Sequence, residues 1–574
     1  MSNIIRLTDL FFKTLREDPA SAETPGHKLL TRASYIRRVA PGIYTFLPLG
    51  LKVLKKIEKI IREEENSIGS QEVLFPALLP KEPFEATGRW TEYGDELFRL
   101  QDRKESNMLL APTHEEMFTL LVKDIYSSYK ELPTMLYQIQ TKYRDEARPR
   151  AGLIRCREFS MMDAYSFDLS DKGLEASYKA QRDAYKKVFD RLGLEYVIVQ
   201  ATSGAMGGSK SEEFLHPSSV GEDTYVISDG GYAANVEAIT IAKTPNKNIK
   251  ADNAKSVSTP NATSIEDVCS FLKNQGCSFK ESDFLKAIVV KLTSISSKKS
   301  KIVTIFIPGD RQLDTKRAEA FFAGFTVEIA TDEQIKESRL VKGFIGPNKE
   351  TQNYYDPRVA NGSVWITGGN KIDTHIINMQ AGRDFEVENI ADVANIVNGD
   401  LAPDNSGKLT LKRGIEIGHI FALGKKYSNA LELNVLDENG KSQTVTMGSY
   451  GIGVSRVLAC LAETASDQLG LSWPKAVAPA LVHIVAAGKD EKINNTAEKI
   501  ANELDKKNIE SILDTRKVSP GVKFKDAELL GVPYILTVGK LLEDGIVEIK
   551  NRDGSNLEKV STDKIVAYIE NLNE

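Results

Sequence analysis

The chain has few of the residues that crosslink proteins or hold metals. Its four cysteines (Cys156, Cys269, Cys277 and Cys460) form no CxxC pair, which argues against a disulfide framework. The histidines number only six and are scattered, so a zinc site is not expected. No apolar run approaches the roughly 18 residues of a membrane span. The opening Ile4-Ile5-Arg6 soon meets Asp9 and lacks the apolar core of a signal peptide. Cytoplasm is the expected compartment, with no membrane partner. There is no GxxxxGK[ST] run, so a nucleotide site, if present, is not a P-loop. Excess positive charge is missing too. The formal net charge of −5 excludes a general binder of polyanions, DNA included.

What is present is local. At 574 residues the chain is too long for one core, and three or four domains are expected. Residues 142–157 carry Lys142, Arg144, Arg148, Arg150, Arg155 and Arg157 against only Asp145 and Glu146. A solvated charged loop is the bland reading. The density of arginine between two strand-like segments favours phosphate contact, because a guanidinium stays charged and its planar fork matches phosphate oxygens. A second arginine, Arg456, closes the glycine-rich Gly451-Ile452-Gly453-Val454-Ser455-Arg456.

Periodicity predicts a helix over 51–65, with Val53, Leu54, Ile57, Ile60 and Ile61 on one face. Gly69 ends it and a short strand follows to Pro76, which suits an edge or interface. A second helix is expected over 113–130, with Thr113 as cap and Glu116 completing a capping box. Residues 136–146 read as a strand with Gln138, Gln140, Lys142, Arg144 and Glu146 on one face, the floor of a polar pocket. The returning strand, 157–167, places Phe159, Met161, Asp163 and Tyr165 together. Residues 243–264 suit a surface linker, and 294–301 a loop tip between strands at 287–293 and 302–307. A second soft segment runs from 398 to 408. The simplest organisation is one domain, 1–227 and 409–474, interrupted by an inserted domain, 228–408. Alternating strands and helices from 475 to 574 predict a separate, mostly parallel α/β domain.

These segments resemble the class II aminoacyl-tRNA synthetases, and within them the bacterial-type prolyl-tRNA synthetase family, over essentially the whole chain. The first class II motif corresponds to Gly69…Val73-Leu74-Phe75-Pro76, with Ser70 where an aromatic is often found. The second is Tyr143-Arg144-Asp145-Glu146 with Arg155…Phe159. The third is Gly451-Ile452-Gly453…Arg456. Pro112-Thr113-His114-Glu115-Glu116, Arg157–Phe167, Gly414–Phe421 and an insertion of about 180 residues between the second and third motifs resemble the prolyl branch. Ser449 stands where many relatives carry cysteine.

The resemblance implies an α+β catalytic domain on an antiparallel sheet, an inserted α/β editing domain and a C-terminal α/β anticodon-binding domain. It implies ATP-dependent activation of proline and transfer to tRNA(Pro), with Mg²⁺ on the ATP. Arg144, Glu146, Arg155, Phe159, Gly451, Gly453 and Arg456 would hold ATP, with Arg144, Glu146 and Arg456 catalytic. Thr113, Glu115, Arg144, Gly207, Gly208 and His419 would bind proline, and Glu416 is a candidate metal contact. Arg148 and Arg150 would meet the tRNA acceptor end. Lys286, Gly343, Gly346, Pro347, Asp356 and His375 would edit Ala-tRNA(Pro), since an apolar pocket rejects a smaller side chain by only about 1–3 kcal/mol. Arg516, Lys517 and Lys523 would meet the anticodon. A homodimer through the first-motif surface is expected.

From the residues alone the bland readings remain open. Thr113 and Glu115 could be a helix cap and a first-turn carboxylate. Gly207 and Gly208 could be a plain turn. Lys286, Asp356 and His375 could be a surface lysine, a turn aspartate and a satisfied strand histidine. A threonine, serine or glycine enzyme, a synthetase-derived RNA-binding protein, and a hydrolase working only through the insert are the rivals.

Overall fold

The computed structural model describes residues 3–573 apart from 242, 243, 247, 248 and 296. The chain divides into two compact units. One comprises residues 1–198, 205–222 and 414–574, and the other 199–204 and 223–413.

The centre of the first unit is a sheet whose strands run Lys210–Pro217, Leu409–Gly424 (from residue 414 in this unit), Thr446–Ile452, Glu158–Asp168, Thr134–Tyr143 and Gln71–Glu72. All neighbours are antiparallel except the last pair. Alternation fixes the register: Gln138 faces Asp163 and Lys142 faces Phe159 across the central pair. Helix Pro48–Ser67 packs its five expected apolar residues inward, and Gly69 follows it at φ 82°. Gln71–Glu72 lies at the sheet edge, shorter than expected.

The helix expected over 113–130 runs Glu115–Ile125, and Thr113 does not cap it. His114 holds the cap position without a side-chain hydrogen bond. The capping box fails because burial places Thr113 and Glu116 against Arg89 instead.

The C-terminal α/β region has its four expected strands and gains two more. Its sheet has six strands, in the order Ile4–Arg6, Ser511–Asp514, Val482–Ala486, Tyr534–Val538, Ile546–Asn551 and Glu558–Ser561. The first four are parallel and the last two antiparallel. Ile4–Arg6 comes from the other end of the chain, and three residues carry too little periodicity to announce a strand. Leu529 and Leu530 join the core cluster of the catalytic sheet, and Tyr35 donates its hydroxyl to the Leu530 carbonyl at 2.7 Å. Residues 475–574 thus keep a core of their own, built on Leu481–Ile569, and also pack against the catalytic core.

In the second unit, Leu285–Ser294 and Ser300–Pro308 pair antiparallel and are flanked by Phe325–Ile329 and Gln352–Tyr355. A second sheet joins Lys255–Ser258, Thr374–Gln380 and Val364–Gly368. The expected 243–264 linker thus contains a paired strand, and Ser264 caps a helix, Ile265–Asn274. Its residues 243, 247 and 248, and residue 296 of the expected loop tip, lie outside the described residues.

Candidate active site

Two polar clusters meet at Arg144. The first is built on Glu115 and Glu116, both buried in the opening turn of their helix. Arg89, 1% exposed, places Nη1 2.8 Å from Glu115 Oε2 and 2.9 Å from Glu116 Oε2, and donates Nη2 to Thr113 Oγ1 at 2.6 Å. Thr113 donates its hydroxyl to Glu115, as does Ser449, at 3.1 Å from Oε1. Burial alone would raise the Glu115 pKa, but Arg89, Thr113 and Ser449 outweigh it and leave it lowered. At Glu116, burial and the neighbouring Glu115 charge overcome Arg89, so its pKa is raised.

Beneath lies the polar strand face. Lys142 is fully buried, 2.8 Å from Asp163 Oδ1 and 2.6 Å from His114 Nδ1. Gln138 and Tyr165 also donate to Asp163. Burial, followed by Lys142, lowers His114 to about 4, so its ring is neutral. Lys142 belongs to this floor and is not among the exposed phosphate-facing cations that the basic run suggested.

The second cluster centres on Glu416. Arg456 donates Nη1 to the Glu416 carbonyl at 2.7 Å and to Oε2 at 3.1 Å, while Nε holds the Ile154 carbonyl. His419 Nδ1 lies 3.0 Å from Glu416 Oε1, and its Nε2 lies 2.5 Å from Ser211 Oγ. Against the cost of burial, His419, Arg456 and Arg144 bring the Glu416 pKa down to about 2. Glu213 completes a trio with Glu416 and His419 whose ligand atoms lie within 4.8 Å of one another. Two carboxylates at that spacing fit a hard divalent cation.

Arg144 joins the two clusters. Its charge acts on Glu416 and feels Arg89, and its guanidinium sits 5.2 Å from the centroid of the Phe159 ring. Burial works against that charge, but Tyr93, Glu416 and Glu96 outweigh it and raise the pKa. The Nε of Arg144 is buried without a partner among the described residues. Gly453 stands at the start of the Arg456 helix, and a Cβ there would come within 3.3 Å of the Arg456 Cβ. Gly451 lies opposite His419 in the sheet. Gly208, at φ 110°, admits no side chain, since a Cβ would lie 2.2 Å from the Ala422 carbonyl oxygen; Gly207 is also left-handed, at φ 77°.

Arg150 and Arg155, among the remaining basic groups, are paired. Glu146 Oε2 lies 2.7 Å from Arg155 Nε, and Glu222 pairs with both Arg155 and Arg150. Arg148 is exposed and donates its backbone N–H to Glu146.

The expected editing residues all lie in the second unit. Lys286 donates to the Arg311 carbonyl, and burial lowers its pKa. Asp356 is fully buried, with both oxygens 3.0 Å from Arg358 Nη1; Arg358 and Arg311 share Asp400. His375 lies 2.7 Å from Thr259 Oγ1 and 5.3 Å from the Phe344 ring, and burial brings it to about 4. Gly346 packs directly on the Gly368 carbonyl, where a Cβ would sit at 2.0 Å; Asn370 donates to the Pro347 carbonyl, and Gly343 is left-handed at φ 84°.

Of the three basic groups expected to meet the anticodon, Lys523 is 2% exposed and donates to the Ala486 and Asp514 carbonyls at strand ends. That burial removes it from an RNA surface. Arg516 is tied to Asp514 and Asp526, and Lys517 is exposed.

Arg89 and Glu213 were missed in the sequence. Neither lies in a recognisable charge pattern, and only the adjacent Glu115-Glu116 hinted that a buried cation was needed.

The pattern of the tRNA synthetase class II core domain (G, H, P, S and T) matches residues 98–465, and that of an anticodon binding domain matches 481–572. A proline–tRNA ligase of Arthrobacter sp. (strain FB24) is 54% identical over 99% of both chains. The chain belongs to the proline–tRNA ligases. A relative from Kineococcus radiotolerans is 53% identical over 99% of both chains. A prolyl-tRNA synthetase structure from Cryptosporidium parvum, complexed with L-proline and AMP, superposes with a TM-score of 0.57 at 12% identity. It covers 98% of this chain and 77% of that one. The α+β catalytic core and the anticodon-binding domain agree with the fold expected from the motifs. No described helix is long and apolar enough to cross a membrane.

Proposed function

We propose that the chain activates proline with ATP and transfers it to tRNA(Pro), and that the inserted unit deacylates Ala-tRNA(Pro). The observation that carries the first part is the position of Arg144, which shares Glu416 with Arg456 and also lies in the field of the Arg89 cluster. A carboxylate attacking an α-phosphate needs fixed positive charge at the phosphate and a separate anion for the amino acid's ammonium. Arg144 would hold the α-phosphate and the proline carboxylate, with Glu115 and Thr113 on the ammonium, Gly207 and Gly208 in the pocket wall, and His419 near the amino acid. Arg456 would hold the triphosphate over Gly451 and Gly453, Phe159 would stack on adenine, and Glu146 would contact its polar edge. Arg155 would reach the outer phosphates by exchanging Glu222 for them.

The substrate carboxylate oxygen bonds to the α-phosphorus and pyrophosphate leaves. A ribose hydroxyl of the terminal tRNA adenosine then attacks the prolyl carbonyl and AMP leaves. Glu416 and Glu213 would hold Mg²⁺, which supplies charge neutralisation at the phosphates when bound. Arg148 and Arg150 would contact the acceptor end, and Lys517 with Arg516 the anticodon loop. A cytoplasmic homodimer is part of this reading. In the insert, Lys286 would meet the terminal phosphate of the tRNA. His375, Asp356 and the 343–347 loop would seat the alanyl group. Support there is the resemblance together with the shared polar network of Lys286, Arg311, Asp400, Arg358 and Asp356.

The test is charging of a tRNA(Pro) transcript with labelled proline, run beside hydrolysis of preformed Ala-tRNA(Pro). Charging and hydrolysis are both expected. No charging refutes the ligase reading, and charging without hydrolysis refutes the editing reading alone.

A further inference from the structure

Arg89 opens the short segment Arg89–Glu92, and its guanidinium lies 5.3, 5.3 and 5.9 Å from the ring centroids of Phe84, Tyr93 and Tyr427. Three rings around a buried cation restrict its orientation, and a charge so placed persists only if paired. Its Nη2–H points at Thr113 Oγ1, and its Nη1–H bonds reach Glu115 and Glu116.

This arrangement dictates what Thr113 and Glu115 can offer a ligand. A hydroxyl has one proton and two lone pairs. The Thr113 proton is committed to Glu115, and Arg89 fills one lone pair. What remains is a single acceptor. Glu115 Oε2 is filled by Arg89 and Thr113, Oε1 accepts from Ser449, and the Glu115 backbone N–H also reaches the carboxylate, which leaves at most one of its roughly four acceptor positions. At most two acceptors thus stand open, beside a carboxylate kept ionised. A secondary ammonium has two N–H donors. A primary ammonium has three and would leave one unpaired in a dry site, which is costly.

We propose that Arg89 is a positioning residue that sets the donor and acceptor pattern of Thr113 and Glu115, and so selects a secondary over a primary ammonium. It does this without touching the substrate. The inference rests on the proline reading above and adds a source of selectivity besides pocket size.

The experiment is ATP–pyrophosphate exchange with the full chain, titrating proline, alanine and ATP, for Arg89→Lys, Arg89→Met and the double variant Arg89→Met/Glu116→Gln. The double variant removes a buried anion together with the cation, so that a folded protein remains when the single change does not yield one. The KM for proline is expected to rise on the order of tenfold or more in the methionine variants, the loss of a charge-assisted hydrogen-bond network. The KM for ATP should stay within about twofold, since uniform loosening would move both. Preference for proline over alanine should fall. Arg89→Lys should lie between, because an ammonium keeps the charge but cannot bridge all three partners as a fork does. Folded variants with unchanged proline KM and unchanged preference would overturn the inference, as would proline and ATP KM values rising in step. Wild-type protein inactive with proline would overturn the functional reading and this inference together. An active wild type with indifferent Arg89 variants would overturn this inference alone.

Discussion

In the catalytic unit, burial acts on Glu115, Glu416 and Arg144, and in each the charged form is kept, because an opposite charge or a donor lies within reach. In the inserted unit, burial acts on Lys286, Asp356 and His375 and moves each toward neutrality. The difference suits two kinds of chemistry. Nucleotide activation spreads charge over phosphate oxygens and needs counter-charges fixed in advance. Hydrolysis of an aminoacyl ester, the reaction proposed for the insert, needs a water and a shaped pocket more than an array of fixed counter-charges.

The largest expected effect is at Arg144. Arg144→Gln should lower proline-dependent exchange about 10²–10³-fold, the range for removing one preorganised charge, and leave Ala-tRNA(Pro) deacylation intact. Parallel loss of both activities would erase the distinction between the units. Next is Lys286→Ala, expected to cut deacylation on the order of tenfold with exchange unchanged, the loss of one charge-assisted phosphate contact.

The acid behaviour of Glu416 sharpens the comparison further. Its folded pKa of about 2 lies below the ordinary value of 4.5, so the stabilisation it contributes is complete above 4.5 and lost as pH falls toward 2. The difference in thermal midpoint between wild type and Glu416→Gln should therefore shrink across that window. A constant difference would mean that the carboxylate is not held by charge. His375, at about 4, stays neutral at higher pH, so deacylation should show no limb from it between about pH 5 and 8. The smallest effect is expected at Lys517. Lys517→Glu should raise the tRNA KM a few-fold and flatten its salt dependence by about 0.7 in log–log slope, the share of one single-strand phosphate.

Much of this was legible in the sequence. The alternation of Gln138, Gln140, Lys142 and Arg144 marked a polar sheet face, and the glycine-rich run closed by Arg456 singled out a second arginine. Apolar periodicity placed Pro48–Ser67 nearly to its ends. What stayed hidden was long-range. Arg89 meets Thr113, Glu115 and Glu116 only after the chain has folded back 24–27 positions. Ile4–Arg6 finds Ser511–Asp514 from the opposite terminus. Lys523 follows Pro520-Gly521, the signature of an exposed helix start, yet its stem runs inward to strand-end carbonyls. Because Leu529 and Leu530 belong to the catalytic core, truncating the chain at 475 would expose that core and report on folding rather than RNA binding.

The proposed chemistry requires guanidiniums from distant stretches of chain to serve one nucleotide beside a site for a secondary ammonium. A pyrophosphate-exchange screen over the twenty amino acids tests it most directly. Exchange is predicted with proline far above every other amino acid, and lowered about 10²–10³-fold in both Arg144→Gln and Arg456→Gln. Exchange led by threonine, serine or glycine, or undiminished by loss of either arginine, would contradict it.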